Sequence, residues 1–111
     1  MPKYLFIGSY TAEGARGVLK EGGTGRRGAV LELMASLGGT VEGYYFAFGS
    51  DDVYIIVDLP GPAAAAAASL AVAASGAASL RTVVLLTPEE LDAATKLSAP
   101  YRPPHREYGQ R

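Results

Sequence analysis

Between Glu42 and Gly61 the chain reads EGYYFAFGSDDVYIIVDLPG, and this segment constrains the fold more than any other. It holds five of the ten aromatic residues, arranged in two strand-like runs around a GSDD turn. That is the pattern of a β-hairpin. A strand with one face in water carries polar residues at alternate positions. Here Tyr44, Phe46 and Phe48 alternate with Tyr45 and Ala47, and Val53, Ile55 and Val57 alternate with Tyr54 and Ile56. Both faces of the hairpin therefore need cover. Helices of the same chain can supply it on one side, and the other side calls for a ligand, a nucleic acid or a second subunit.

The flanking segments define what the hairpin belongs to. Residues 3–11, KYLFIGSYT, alternate as a first strand, with Lys3, Leu5, Ile7 and Ser9 on one face and Tyr4, Phe6, Gly8 and Tyr10 on the other. Thr11 is placed to cap a short helix through AEGARGVLKEGG, which Gly14 and Gly17 weaken. The next stretch, GGTGRRGAVLELMASLGG, is predicted to be a loop feeding a better helix. Thr24 is its expected N-cap, and Val30, Leu33, Met34 and Leu37 form an apolar stripe at i, i+3, i+4 and i+7. Gly38 and Gly39 supply its C-terminal stop.

After the hairpin, the alanine-rich segment from Pro62 to Ser75 is predicted to be a helix ended by Gly76. SLRTVVLLT is a fourth strand, and Thr87, Pro88 and Glu90 make a capping box for a last short helix. The order β-α-β-β-α-β predicts an α+β fold, the ferredoxin-like βαββαβ arrangement with a four-stranded antiparallel sheet plus a short C-terminal helix. Residues 1–98 are read as a single domain and 99–111 as an extended tail rich in Pro and Arg. With helices on one face only, the second apolar face predicts a homodimer or higher oligomer packed sheet to sheet.

Composition narrows the function. Apolar residues make up 49% and charged residues 19%, which is a globular and not a disordered balance. Ten Lys and Arg against eleven Asp and Glu leave a net charge of -1, without the basic field that nucleic acids require. EGYYFAFG has the glycine and aromatics of the RNA-recognition strand signature. It places Glu42 where a base belongs and Tyr45 where Gly or Ala belongs, and it sits on the second strand. No nucleic-acid partner is expected. The absence of cysteine excludes disulfides, thiolate zinc sites and a Cys nucleophile. One histidine, His105, supports neither a multi-His metal site nor a Ser-His-Asp arrangement, so no metal or cofactor is expected. The uncharged run Leu59–Leu80 is mostly Ala, Ser and Gly with Pro60 and Pro62 at its start, and MPKYLFIGSYTAEG shows no secretory signal. The expectation is a soluble, cytoplasmic protein with no membrane partner.

Two segments carry candidate chemistry. EGGTGRRG, Glu21 to Gly28, puts glycine-rich backbone ahead of a helix, so the amides of Gly23, Thr24 and Gly25 with the guanidinium groups of Arg26 and Arg27 could take a phosphate or carboxylate. It lacks the spacing and lysine of a P-loop, and its plain alternative is a flexible link with solvated arginines. Ser9, Tyr10 and Tyr45 are candidates to line a pocket within a barrel. Asp51, Asp52 and Asp58 could approach a hard cation, although turn preference alone explains Asp at such positions. His105, beside Arg102 and Arg106, reads as solvated. Two function classes follow. One is an oligomeric module that binds a small anionic metabolite at the Gly-Arg loop or the subunit interface. The other is a small cofactor-independent enzyme of monooxygenase or isomerase type, with Ser9, Tyr10, Tyr45 and Arg26 around a cavity between sheet and helices.

Taken together, YLFIGSYTAEGARGVLKEGGTGRR, YYFAFGSDDVYIIVDLP, AAAAASLAVAASGA and VVLLTPEELDAATKLSAPYRPP resemble the GYD-domain family of small bacterial and archaeal proteins. The likeness runs over nearly all of residues 3–104. Where the family pattern reads FGDxD, this chain has FGSDD, Phe48 to Asp52. The resemblance implies a ferredoxin-like fold of the dimeric α+β barrel type. It implies no catalytic residues, since the family is a domain of unknown function.

Overall fold

A computed structural model describes residues 1–104. In chain order the elements are β1 (Lys3–Tyr10), α1 (Ala12–Ser36), β2 (Thr40–Phe46), β3 (Val53–Asp58), α2 (Pro62–Ser75), β4 (Ala78–Leu85) and α3 (Pro88–Thr95). The four strands form one antiparallel sheet in the order β2-β3-β1-β4, so the ferredoxin-like α+β arrangement expected from the element order is the one observed.

One element departs from expectation. The predicted loop between two helices is absent, and α1 is a 25-residue helical run bent at Gly22, which sits at φ 78° and ψ 171°. A glycine visits this left-handed region without a Cβ clash, so a single residue redirects the helix and no loop is needed. Thr24 consequently lies inside the second limb of α1 and does not cap it. Thr11 does cap the first limb, accepting from the Gly14 amide at 3.1 Å. The Thr11 hydroxyl also donates to the Gly76 carbonyl at 2.8 Å, and the Thr11 amide donates to the Ala77 carbonyl at 2.9 Å. The start of α1 is thus tied to the turn that enters β4. Gly76 ends α2 at φ 75°, and Thr87 with Glu90 forms the capping box of α3, both as the sequence predicts.

Strand register sorts the side chains. Tyr4 and Phe6 pair with Val57 and Ile55, and together with Val53 they face the helices. There they pack with Met34 of α1, Leu59, and Ala65 and Ala68 of α2 to form the buried core. A β-bulge between Val41 and Gly43 shifts β2 by one residue at Glu42, which brings Tyr44 and Phe46 to the helix side and leaves Tyr45 on the other. The far face of the sheet carries Leu5, Ile7, Tyr54, Ile56, Val83 and Leu85, and among the described residues no helix covers it, although Ile7 itself is buried. Ion pairs edge this face. Lys3 meets Asp58 at 2.9 Å and Glu42 at 3.1 Å, and Arg81 meets Asp51 at 3.1 Å.

The C-terminal helix stands clear of the domain. Every residue of α3 is exposed, and Leu86, Leu91, Leu97 and Tyr101 all show more than half of their surface to solvent. The radius of gyration is 18.5 Å and the long axis 60 Å, against roughly 13 Å for the radius of a compact chain of this length. Residues 98–104 follow without helix or strand. His105 and the rest of the predicted tail lie outside the described residues.

Close packing at the head of α1 makes a direct prediction. A Cβ on Gly14 would lie 1.9 Å from the Ala77 carbonyl oxygen, whereas one on Gly17 would meet nothing within 4 Å. Gly14→Ala should therefore cost about 2–3 kcal/mol through forced backbone movement. Gly17→Ala should gain up to about 1 kcal/mol from helix propensity. Urea denaturation of the two variants beside the parent chain checks both signs.

Candidate functional site

Alanine gives a helix close approach to a sheet, but it leaves space where a larger side chain would have filled it. Between α2, the second limb of α1 and the sheet the structure holds a cavity of about 190 Å³. Its floor is Phe6, Val53, Ile55 and Leu80 from the sheet. Its roof is Val30, Leu33 and Met34 from α1, the apolar stripe legible in the sequence. Its α2 side is Ala71, Val72 and Ser75. Protein interiors carry few voids larger than a water molecule, so a space of this size is a feature of the fold.

The polar groups on the lining are few. Tyr10 enters from the end of β1, Tyr44 from β2, and Arg26 from α1. Arg26 is the only charged side chain among the described residues that line the cavity. Burial pushes the Tyr44 phenol well above the usual tyrosine range, the neighbouring Tyr10 hydroxyl adds to this, and the Arg26 guanidinium opposes it. Tyr44 is thus a neutral O–H donor at physiological pH. Its ring packs edge-on against Phe46, centroids 5.4 Å apart. Arg26 makes a single long contact of 3.4 Å to Glu21, and both side chains are partly exposed. Such a pair contributes little and gives way readily to a better anion.

The hairpin turn explains how Tyr10 is held. The Asp52 carboxylate accepts from the Tyr10 amide at 2.8 Å, and the Asp52 amide donates to the Gly8 carbonyl at 2.8 Å. Asp51 accepts from Ser9 at 3.1 Å and from Arg81 at 3.1 Å. The acidic turn of the FGSDD segment is therefore a clasp on the end of β1. Among the described residues no group of three or more His, Cys, Asp or Glu could hold a metal ion.

The sequence-predicted site residues fall into three places. Tyr10 and Arg26 meet in the cavity. Gly23, Thr24 and Arg27 line a separate depression beside Tyr44 and Phe46, and Gly25 lies against Glu21. Ser9 and Tyr45 belong to the open side of the sheet, with Tyr45 two-thirds exposed beside Arg27 and Glu42. Since the Gly-Arg segment is helical and not a loop, its arginine side chains, more than a cradle of amides, are what it offers a ligand. Tyr44 was not among the candidates. The bulge at Glu42, which the alternation does not show, is what brings it to the cavity. Arg26, a candidate from the sequence, also lies at i-4 and i-7 from Val30 and Leu33 on one helix stripe.

A four-stranded antiparallel sheet, helices on one face and a cavity between the two layers define a ferredoxin-like α+β domain with an internal pocket. The family model of the GYD domain matches residues 4–95, nearly the whole chain, and the chain belongs to that family. No curated protein and no solved structure matches it. Among the described residues, no helix is long and apolar enough to cross a membrane.

The raised Tyr44 sets a pH dependence. Because the folded chain resists ionising this phenol, its contribution to stability is fully present below the unfolded tyrosine value near 10 and is lost as pH rises above it. Between about pH 10 and 11.5 the melting temperature of the parent chain should fall more steeply than that of Tyr44→Phe. Thermal melts of the two across pH 8–11.5 check the slope, and parallel curves would remove the assigned role of burial at Tyr44.

Proposed function

We propose that this domain is a self-associating small-molecule binder that takes a small organic anion into the cavity between its sheet and helices. The observation that carries the reading is the lining itself. The lining carries a single guanidinium and two phenols among mostly apolar side chains, which suits a ligand with an apolar body and an anionic head. Acid–base turnover at neutral pH needs a group that titrates near it. The lining offers two tyrosines, one of them held neutral, and a guanidinium, and among the described residues it carries no carboxylate, imidazole or amine. Binding is the function these groups support best, ahead of a cofactor-independent enzyme using the same space.

Self-association follows from the uncovered face. Four strands about 4.8 Å apart and seven residues long project to roughly 19 by 23 Å, about 440 Å² per chain. Two such faces together, about 880 Å², fall short of the roughly 1,200 Å² that a stable specific complex buries. The exposed leucines of Leu86, Leu91 and Leu97 lie on the segment that leaves β4, and docking this arm on the second copy would enlarge the contact. The edge ion pairs Lys3–Asp58 and Arg81–Asp51 set charges of both signs around the apolar centre, as a self-complementary face requires.

Two measurements test the reading. Light scattering of the full chain at micromolar concentration should give at least a dimer, and Ile56→Glu, which plants a charge in the open face, should give a folded monomer. A monomeric parent would refute the assembly. Native mass spectrometry of protein purified without added ligand should retain a small acidic compound, and Arg26→Gln should lose it while keeping the same melting profile within about 2 °C.

A further inference from the structure

From the size and lining of the cavity we infer its ligand class: a planar, single-ring aromatic monocarboxylate, its ring held among Phe6, Tyr10 and Tyr44 and its carboxylate on Arg26. This rests on the proposed anion-binding function and makes it specific. A dry cavity of about 150 Å³ admits benzene. At about 190 Å³ this one, a recess open on one side, has room for a ring with one short substituent.

Shape and charge then choose among small acids. The sheet supplies a broad floor, the apolar stripe of α1 a roof, and three aromatic side chains border the space. A rigid ring finds edge and face partners there and freezes no internal rotation. A flexible acyl chain of equal volume would lose its rotational freedom for weaker contacts. The polar end is equally restrictive. One guanidinium can take one carboxylate through two parallel N–H bonds, and the Tyr10 and Tyr44 hydroxyls are further donors on the same lining. Glu21 lies 3.4 Å from Arg26, so a second negative charge on the ligand would meet repulsion. Monoanions are favoured over dianions such as phosphate esters.

Calorimetric titration of the full chain with benzoate, hexanoate, 2-naphthoate, phenyl phosphate and neutral benzamide tests this inference. Benzoate should bind at least tenfold more tightly than each of the other four. Arg26→Gln should weaken it at least tenfold, and Glu21→Gln should tighten it two- to fivefold by freeing the guanidinium. Ala71→Leu, which fills the chamber, should abolish binding; if that variant fails to fold, the Arg26 and Glu21 pair decides the matter alone. Hexanoate binding as well as benzoate, still sensitive to Arg26, would overturn the aromatic class and leave the anion-binding function standing. Equal binding of benzamide, or no binding by any of the five, would overturn both.

Discussion

The last three residues of β1 and the threonine after them hold the molecule together. Gly8 accepts from the hairpin turn, Tyr10 donates to Asp52, and Thr11 bonds the backbone that enters β4 while capping α1. The end of β1 and the head of α1 are thereby joined to two segments distant in sequence, the hairpin turn and the turn that enters β4. Two glycines make the closeness feasible. At Gly8 a Cβ would lie 2.9 Å from Val53, and at Gly14 it would collide with the Ala77 carbonyl. Tyr10 sits within this knot, so its hydroxyl is presented to the cavity by a backbone fixed on both sides. A ligand-facing group supported in this way is pre-organised, and little entropy remains to be lost when a guest arrives.

The cavity exists because α2 gives up packing for proximity. Six consecutive alanines from Ala63 to Ala68 let the helix settle on the sheet, and Ala65 and Ala68 are fully part of the core. The approach is bought with missing volume further along the same helix, where Ala71 and Ser75 leave the space that Phe6 and Met34 border. Side chains that line such a recess have fewer dispersion partners than those in a filled core. A guest that restores those contacts gains affinity from the same deficit.

Much of the fold was legible from local chemistry. Alternation marked the strands, the capping box marked α3, and Gly76 marked the end of α2, because each is decided by neighbours within a few residues. What eluded sequence reasoning was decided at longer range. The Gly-rich segment looked like a loop since glycine weakens helices, yet only Gly22 leaves helical geometry, and the second limb is held by packing of Val30 and Met34 against the core. The candidate site was half legible. Tyr10 and Arg26 were identified by type and position, but Tyr44 joins them only because a bulge at Glu42 rotates β2 by one residue. A bulge changes which face every later residue occupies, and nothing in an all-apolar strand such as YYF registers the change.

The two-sided apolarity of the hairpin therefore has two separate causes. On the helix side, Val53, Ile55 and Val57 are buried within the chain, Tyr44 borders the chamber, and Phe46 borders the separate depression. On the far side, Tyr54 and Ile56 join Leu5 and Val83 in a patch that water alone would cover at a cost. The chamber is lined by the helices, the helix side of the sheet and the turn before β4, so a second copy on the far face would meet a different set of side chains. Assembly and ligand binding then make no competing demand on the same side chains. Strand β1 connects them, since Ile7 belongs to the outer face while Phe6 and Tyr10 belong to the chamber. Covering one face stiffens the strand that presents the other, and this is the physical route by which subunit packing would sharpen the pocket.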